Sequence, residues 1–205
     1  MESNPPLGDR DMIAIIKYNA GNVQSVQYAM QRIGVDAVVT DDESIIRAAD
    51  KVIFPGVGHA QSAMQYLREK LLDKLLLSLQ QPTLGICLGL QLMCKHSEEG
   101  DTDCLGIFDT DVRLFSSDHL KVPQIGWNNI YGYKSVLFNE LPEQVFMYTV
   151  HSYYAALSDE TVATTDYILP FSAALQKDNF YAVQFHPEKS GTAGETILKN
   201  FIQIP

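Results

Sequence analysis

Cys87 lies between two glycines and is the residue best placed in this sequence for nucleophilic chemistry. A short apolar run, Leu84, Gly85 and Ile86, precedes it, and an apolar helical pattern follows Gly89. Glycines on both sides of a nucleophile allow the sharp strand-to-helix turn that lifts it clear of a sheet. A helix N-terminus also stabilises the thiolate, which is the reactive form of cysteine. The pattern predicts an acyl-transfer nucleophile, with a structural cysteine packed between glycines as the alternative.

A thiolate nucleophile needs a base, and the base needs a group that orients it. Of the five histidines, His186 has a carboxylate two positions further on, Glu188, in a segment typical of extended chain. Residues i and i+2 of an extended chain point to the same side, and Pro187 biases His186 toward that geometry. These residues predict a triad of Cys87, His186 and Glu188. A His-Pro-Glu sequence exposed at a strand end is the alternative.

Acyl transfer also requires hydrogen-bond donors for the oxyanion of its tetrahedral intermediate. The backbone N–H of Leu88, directly after the nucleophile, is the first candidate. The second is the Pro-Gly-Val-Gly loop at 55–58, whose two glycines allow the amides of Val57 or Gly58 to take unusual directions. A tight turn without a catalytic role is the alternative for this loop.

The elements that would hold these residues alternate between strand and helix in the first half of the chain. Apolar runs predict strands at 13–16, 37–40, 52–54 and 83–86. Helical spacing predicts helices at 23–33, at 45–49 and, as one long helix, at 60–79. Such alternation builds a parallel sheet, and ligands bind beyond the carboxyl ends of its strands. The Asn19-Ala20-Gly21-Asn22 turn and helix cap, the loop at 55–58 and Cys87 should therefore share one edge.

After Gly100 the pattern changes to short strands, predicted at 112–115, 127–131, 145–150, 161–165 and 172–176. A turn at 177–179 predicts a hairpin to a strand at 180–185, and a last helix follows Gly191 or Gly194. The predicted fold class is α/β, with a mostly parallel central sheet flanked by helices and an antiparallel extension in the C-terminal half.

Length and composition indicate one globular domain. The chain has 205 residues, and residues 1–11 are polar, Pro-rich and aperiodic, which predicts a disordered extension or a cloning remnant before a single domain at 12–205. The formal charge of −10 argues against a nucleic-acid partner. The longest apolar stretch is interrupted by Asp73 and Lys74, so no membrane span is predicted. Three cysteines without C-x-x-C spacing indicate no disulfide framework and no metal site, which favours the cytoplasm.

Three segments resemble the signatures of the class I, triad-type glutamine amidotransferases. They are Pro-Gly-Val-Gly at 55–58, Gly-Ile-Cys-Leu-Gly-Leu-Gln at 85–91 and Gln-Phe-His-Pro-Glu-Lys-Ser at 184–190. Lys-Val-Pro-Gln-Ile-Gly-Trp-Asn at 121–128 and Tyr-Thr-Val-His-Ser-Tyr-Tyr at 148–154 are similar to the glutaminase subunits of imidazole glycerol phosphate synthase, which serve histidine biosynthesis. The resemblance extends from Met12 to the C-terminus and implies a flavodoxin-like fold.

The resemblance implies that Cys87 attacks the side-chain amide of L-glutamine and that His186, oriented by Glu188, protonates the leaving ammonia. A γ-glutamyl thioester is then hydrolysed, and no cofactor is required. Five residues match positions that hold glutamine, partly through backbone groups: Gly56, Gly58, Gln91, Ser152 and Tyr153.

Ammonia in this family passes to a (β/α)₈ cyclase subunit, so the resemblance implies a heterodimer. Five residues match positions near the partner interface or the ammonia path: Asn22, Lys121, Trp127, Tyr148 and Lys189. A plain core role is the alternative for Trp127 and Tyr148. Two residues depart from the family's pattern, namely Gln124 where a histidine is expected and Ala60 where a bulky aromatic is usual.

Two other functions compete with this interpretation. One is a sibling amidotransferase subunit serving chorismate or nucleotide pathways, against which the segments at 126–128 and 150–154 speak. The other is a non-catalytic partner module of the same fold, which the intact Cys87, His186 and Glu188 make a poor fit.

Overall fold

The computed structural model describes residues 11–18 and 22–205. The predicted extension at 1–10 and the predicted turn residues Asn19, Ala20 and Gly21 lie outside the described residues. Asp11, which was predicted to belong to the extension, pairs its carboxylate with Lys51 Nζ at 3.1 Å.

The first half alternates strands and helices as predicted. The strands are β1 (Ile13–Ile16), β2 (Ala37–Thr40), β3 (Lys51–Gly56) and β4 (Thr83–Cys87). The helices are α1 (Val23–Arg32), α2 (Glu43–Ala48), α3 (Ala60–Glu69), α4 (Leu72–Ser78) and α5 (Leu88–Met93). Every residue of β1, β3 and β4 is buried, as expected for parallel strands covered on both faces.

The prediction of one long helix at 60–79 is wrong. Helix α3 ends at Glu69 and α4 begins at Leu72, because Leu71 between them has a φ of 58°. A residue in the left-handed region cannot continue a right-handed helix, so the chain changes direction there. Leu71, predicted to face the core, is 60% exposed, whereas Leu75 and Leu76 of α4 are buried.

The second half contributes nine strands and one long helix to the described structure. The strands are β5 (His96–Ser97), β6 (Thr102–Asp103), β7 (Asp111–Leu114), β8 (Gln124–Tyr131), β9 (Gln144–His151), β10 (Tyr153–Ala155), β11 (Thr161–Tyr167), β12 (Leu169–Lys177) and β13 (Phe180–Val183). Helix α6 (Gly191–Ile202) ends the fold, and 3₁₀ turns occupy Val136–Phe138 and Pro187–Lys189.

The central sheet has nine strands in the order β2-β1-β3-β4-β13-β12-β11-β8-β9. Strand β13 runs parallel to β4 and antiparallel to β12, so it joins the parallel half to the antiparallel extension. The predicted fold class and the predicted β12–β13 hairpin are confirmed. Alternate residues of β1 belong to two apolar clusters, one completed by α1 and α6 and the other by α2 to α5.

A second sheet of four short strands, in the order β10-β7-β5-β6, was not predicted. The strand predicted at 112–115 is β7, and it belongs to this sheet instead of extending the central one. Strands β5 and β6 have two residues each, which is too short for an alternating pattern to indicate them. Ser152 lies between β9 of the central sheet and β10 of the second sheet, so the two sheets fix the chain on either side of it.

None of the helices in the described part of the chain combines the length and apolarity needed to cross a membrane.

Candidate active site

Cys87 is the last residue of β4, and helix α5 begins at the next residue. Its φ of 55° and ψ of −107° form the sharp turn that the flanking glycines predicted. A Cβ on Gly89 would overlap the carbonyl oxygen of Phe54, and a Cβ on Gly85 would lie 2.8 Å from Met93 Sδ. Gly89 is required for this packing, and a Cβ on Gly85 would make Met93 shift. The predicted strand, turn and helix around Cys87 are confirmed.

His186 reaches the nucleophile from the segment after β13. Its backbone N–H donates to Tyr148 O at 2.8 Å, and its Nδ1 lies 2.8 Å from Glu188 Oε1. Cys87 and His186 line the same pocket, and because Nδ1 faces Glu188, Nε2 is the ring nitrogen left for the sulfur. The predicted extended path is wrong: residues Pro187–Lys189 form a 3₁₀ turn, which brings the carboxylate back to the ring.

The electrostatic setting of His186 favours the imidazolium form. Burial lowers the pKa of His186, but the hydrogen bonds and charges of Cys87 and Glu188 raise it by more than burial lowers it, to about 10. The imidazolium is therefore the form that these two neighbours stabilise once the proton has left the sulfur of Cys87. A protonated His186 beside sulfur can supply a proton to a leaving amine.

Glu188 is held from two sides by helix α1. Asn22 Nδ2 donates to Glu188 Oε1 at 2.5 Å, and Arg32 Nη2 donates to the Glu188 backbone oxygen at 3.2 Å. Asn22 occupies the N-cap position of α1, as the predicted helix cap requires, but its side chain makes no cap hydrogen bond. The side chain is used for Glu188, which fixes the carboxylate toward His186.

A pocket of about 340 Å³ opens above Cys87 and His186. Six residues predicted to bind glutamine or the oxyanion line it: Val57, Gly58, Leu88, Gln91, Ser152 and Tyr153. Gly56 is not among the lining residues. It lies behind the elbow, paired with Cys87 across β3 and β4, where a Cβ would lie 2.8 Å from Leu88 Cβ. Gly56 thus supports the turn and does not reach the pocket in this structure.

Three further residues in or beside the pocket had no role predicted from the sequence. Glu99 and His151 line the pocket, and the buried Gln184 donates from Nε2 to Cys87 Sγ at 3.7 Å. Glu99 lies in a polar loop whose sequence gives no indication of a functional role. Its Oε2 accepts a hydrogen bond from Ala60 N at 2.6 Å. Gln184 begins the segment at 184–190 that resembles a family signature. Its position two residues before His186 was the sequence feature that could have indicated a role.

His151 is a neutral, buried histidine. Its Nδ1 donates to Tyr153 O at 2.8 Å, and its Nε2 is buried with no hydrogen-bond partner among the described residues. Burial lowers the pKa of His151 to about 4, with the charge of His186 adding to the effect and the Tyr153 carbonyl opposing it. His186 is therefore the better proton carrier of the two pocket histidines.

The lowered pKa of His151 makes the protein sensitive to acid. As pH falls, the unfolded chain binds the proton first, near 6.5, while the folded chain binds it near 4. The contribution of neutral His151 to the unfolding free energy is fully present above pH 6.5 and is lost as pH falls toward 4. The loss from this histidine is about 3 kcal/mol. We expect His151→Gln to flatten the pH dependence of the unfolding free energy, measured by denaturant titration between pH 7 and 4. The exposed His119, changed to Gln, serves as the control, and equal slopes in the two variants would refute the effect.

Of the five residues predicted near a partner, Trp127 and Tyr148 lie on one face of β8 and β9, and Lys189 contacts that face. Trp127 is 56% exposed, and its ring meets that of Tyr148 at 6.0 Å in a T-shaped pair. Lys189 Nζ lies 6.0 Å from the centre of the Tyr148 ring, and Lys189 also lines the pocket. Lys121 is exposed in the loop before β8. A plain core role for Trp127 is therefore wrong.

Two further apolar residues extend this face. Ile125 is 64% exposed and Phe146 is 62% exposed, and the β8–β9 register puts them on the side of the sheet that carries Trp127 and Tyr148. Ile125, Trp127, Phe146 and Tyr148 are here called the aromatic face. Clustered exposed apolar side chains beside a pocket are typical of a protein interface.

No group of three or more His, Cys, Asp or Glu side chains within residues 11–18 and 22–205 could hold a metal ion.

Comparison with known proteins identifies the family. The model of the class-I glutamine amidotransferase family matches residues 14–204. Subunit HisH of imidazole glycerol phosphate synthase from Bacteroides fragilis (strain YCH46) is 59% identical over 194 residues, which cover 94% of this chain and 99% of that protein. The same subunit from Bacteroides thetaiotaomicron is 57% identical over 194 residues, with the same coverage.

A solved structure supports the fold alone. A putative GMP synthase subunit from Thermoplasma acidophilum aligns with a TM-score of 0.73 at 20% identity, covering 95% of this chain and 94% of that one. The family resemblance found in the sequence is thereby confirmed, and its five motifs lie within the matched residues. This chain belongs to the class-I glutamine amidotransferase family and, within it, to the HisH subunits of imidazole glycerol phosphate synthase.

Proposed function

We propose that this chain hydrolyses L-glutamine through a γ-glutamyl thioester on Cys87 and delivers the ammonia to a cyclase subunit that makes imidazole glycerol phosphate in histidine biosynthesis. The observation that carries the proposal is that Cys87 and His186 line one pocket, with Glu188 bonded to His186, in a chain 57–60% identical to HisH subunits. The proposed setting is the cytoplasm, with no cofactor.

Acylation begins with the thiol proton passing from Cys87 to Nε2 of His186. The sulfur then attacks the side-chain carbonyl carbon of glutamine, and the oxygen takes up the negative charge. The Leu88 N–H, at the start of α5, and an N–H of Val57 or Gly58 donate to that oxygen. His186 returns the proton to the amide nitrogen, the C–N bond breaks, and ammonia leaves with the thioester in place.

Hydrolysis repeats the sequence with water as the nucleophile. His186 takes a proton from the water, the hydroxide adds to the thioester, and the tetrahedral intermediate expels Cys87 as a thiolate. Glu188 accepts a hydrogen bond from His186 Nδ1 throughout, so the ring keeps its orientation in both half-reactions. The products are glutamate and ammonia.

The charges around the pocket suit an amino acid substrate. Glutamine has an α-ammonium group, and Glu99 is the carboxylate among the residues that line the pocket. We assign Glu99 to the ammonium and the backbone around Ser152 and Tyr153 to the other polar groups. Gln91 also lines the pocket, and its Nε2 already donates to Tyr153 O at 2.9 Å, so it holds this segment in place. Gly56 acts indirectly, by permitting the close packing behind Cys87.

The partner is proposed to cover the aromatic face and the pocket mouth. Trp127 and Tyr148 provide the apolar contacts, and Lys189 and Lys121 provide positive charge at the rim. Asn22 contacts Glu188, so a partner that touches α1 near Asn22 would act directly on the group that orients His186. A buried Trp at an interface commonly contributes a large share of the binding energy.

The test uses this chain with its cognate cyclase subunit. Glutamine hydrolysis is measured for this chain alone, for the complex, and for the complex with the cyclase's nucleotide substrate. We expect hydrolysis to rise in the complex, and Trp127→Ala to weaken association by about 30-fold or more. Leu77→Ala, an exposed leucine on α4, is the matched control.

Failure of the complex to hydrolyse glutamine would reject the proposal. If the chain instead co-purifies with, and supplies ammonia to, a chorismate-utilising or nucleotide-amidating subunit, the sibling function replaces it. The Thermoplasma acidophilum structure does not favour that alternative, because its 20% identity bears on the fold only.

A further inference from the structure

Gln184 is buried beside Cys87 and takes no part in the steps proposed above. Its side chain is 1% exposed, and its backbone N–H donates to Ala173 O at 2.9 Å. Val183 of β13 pairs with Ile86 of β4, so the next residues of the two parallel strands are Gln184 and Cys87. The sheet register itself therefore brings the amide to the sulfur.

Both ends of the Gln184 amide have partners. Nε2 donates to Cys87 Sγ at 3.7 Å, and Oε1 accepts from Gln91 Nε2 at 3.0 Å. Gln91 Nε2 donates its other hydrogen to Tyr153 O at 2.9 Å. A chain of three hydrogen bonds thus runs from the backbone of β10 to the nucleophile.

The Tyr153 carbonyl fixes the direction of both amides. A backbone carbonyl only accepts hydrogen bonds, so Gln91 must turn its amino group toward it. That amino group also faces Gln184, so Gln184 must accept the hydrogen bond with its amide oxygen. Its own amino group then points to Cys87. The donor at the sulfur is therefore fixed by a backbone oxygen at the other end of the chain of hydrogen bonds.

We propose that Gln184 is a positioning residue that stabilises Cys87 as a thiolate, an inference that rests on the glutaminase reaction proposed above. A hydrogen bond to a charged acceptor is stronger than one to a neutral acceptor. The bond from Gln184 strengthens when the thiol proton moves to His186, and again when the thioester breaks down and the sulfur leaves as a thiolate. No proton leaves Gln184 in either step.

This role separates turnover from substrate binding. The sulfur is neutral in the thiol and in the thioester and charged on the way between them, so the donor acts mainly on the barriers. Loss of the donor should lower kcat with little change in KM. A residue that only shaped the glutamine pocket through Gln91 would raise KM instead.

The test compares Gln184→Met with the unaltered chain, because methionine has a similar length and lacks an N–H donor. The first readout is the rate at which iodoacetamide alkylates Cys87, followed by mass spectrometry with fragment ions that distinguish Cys87 from Cys94. We expect alkylation at pH 7 to slow by about tenfold and the midpoint of its pH profile to rise by about one unit. The second readout is glutamine hydrolysis by the complex, with kcat lowered about 10- to 100-fold and KM changed by less than about threefold.

Gln176→Met, on β12 outside the pocket, is the control for the substitution itself and should leave both readouts unchanged. If Gln184→Met does not fold, Gln184→Glu is used. Glutamate keeps the length and the acceptor for Gln91 but puts a negative group at the sulfur, so it should slow alkylation at neutral pH even more. An alkylation profile equal to that of the unaltered chain, in either folded variant, overturns the proposal. Because alkylation needs no glutamine, this readout stands even if the unaltered complex fails to hydrolyse glutamine and the proposed function is rejected.

Discussion

We expect Cys87→Ser to abolish glutamine-dependent synthesis of imidazole glycerol phosphate by the complex while ammonia-dependent synthesis survives. A serine hydroxyl is far less acidic than a thiol, so His186 and the N-terminus of α5 cannot hold it as an anion at neutral pH. Loss of a triad nucleophile lowers turnover by roughly 10⁴-fold or more. The measurement is the synthase rate with saturating glutamine and, separately, with an ammonium salt at alkaline pH.

The control for this prediction is Cys104→Ser. Cys104 is a free, partly buried cysteine that does not line the pocket, so both synthase rates should be retained. If Cys87→Ser abolished the ammonia-dependent rate as well, Cys87 would have a structural role in the complex. Retention of the glutamine-dependent rate would assign the nucleophile elsewhere.

Glu188→Gln has the second largest expected effect, a loss of about 10²-fold or more in glutamine turnover. The amide has the same shape, and its oxygen can still accept from His186 Nδ1 and Asn22 Nδ2. The negative charge is lost, however, and that charge is one of the causes that raise the pKa of His186 to about 10. The imidazolium becomes less stable, so the pH profile of turnover should shift toward acid as kcat falls.

Glu195→Gln is the matched control for this change. Glu195 pairs with Arg32, the same side chain that holds the Glu188 backbone, but the pair is partly exposed and contributes little. We expect near-normal turnover and an unchanged pH profile. If Glu188→Gln behaved in the same way, the carboxylate would not be needed to orient or charge His186.

The turn at Cys87 could be predicted because its requirements are local. Gly85 and Gly89 permit the close approach to Phe54 and Met93, and an apolar strand before them and a helix after them are visible in the sequence. The parallel half of the fold was predictable for a similar reason, because the spacing of apolar residues within each segment indicates a strand or a helix.

Three kinds of feature have no local indication in the sequence and could not be predicted. Asn22 looked like a helix cap, but Glu188, 166 positions away, takes its side chain. Leu71 has the spacing of a buried helix residue, and no glycine marks its left-handed backbone. Two-residue strands such as β5 carry too few side chains to show a period.

The pair of His186 and Glu188 combines a correct and an incorrect prediction within three residues. The association of His186 with Glu188 was predicted, and the hydrogen bond is present at 2.8 Å. The path between them was predicted as extended, whereas Pro187–Lys189 turns as a 3₁₀ helix. Proline at the first helical position is compatible with either path, because its fixed φ suits both.

Detection of the thioester is the most direct test of Cys87 as the nucleophile. The complex is mixed with glutamine, quenched in acid during turnover, and measured by intact and fragment mass spectrometry. We expect a γ-glutamyl group on Cys87 that is absent from Cys87→Ser and disappears when glutamine is exhausted. Glutamine hydrolysis without an adduct on Cys87, or with one on Cys94 or Cys104, would contradict the central claim.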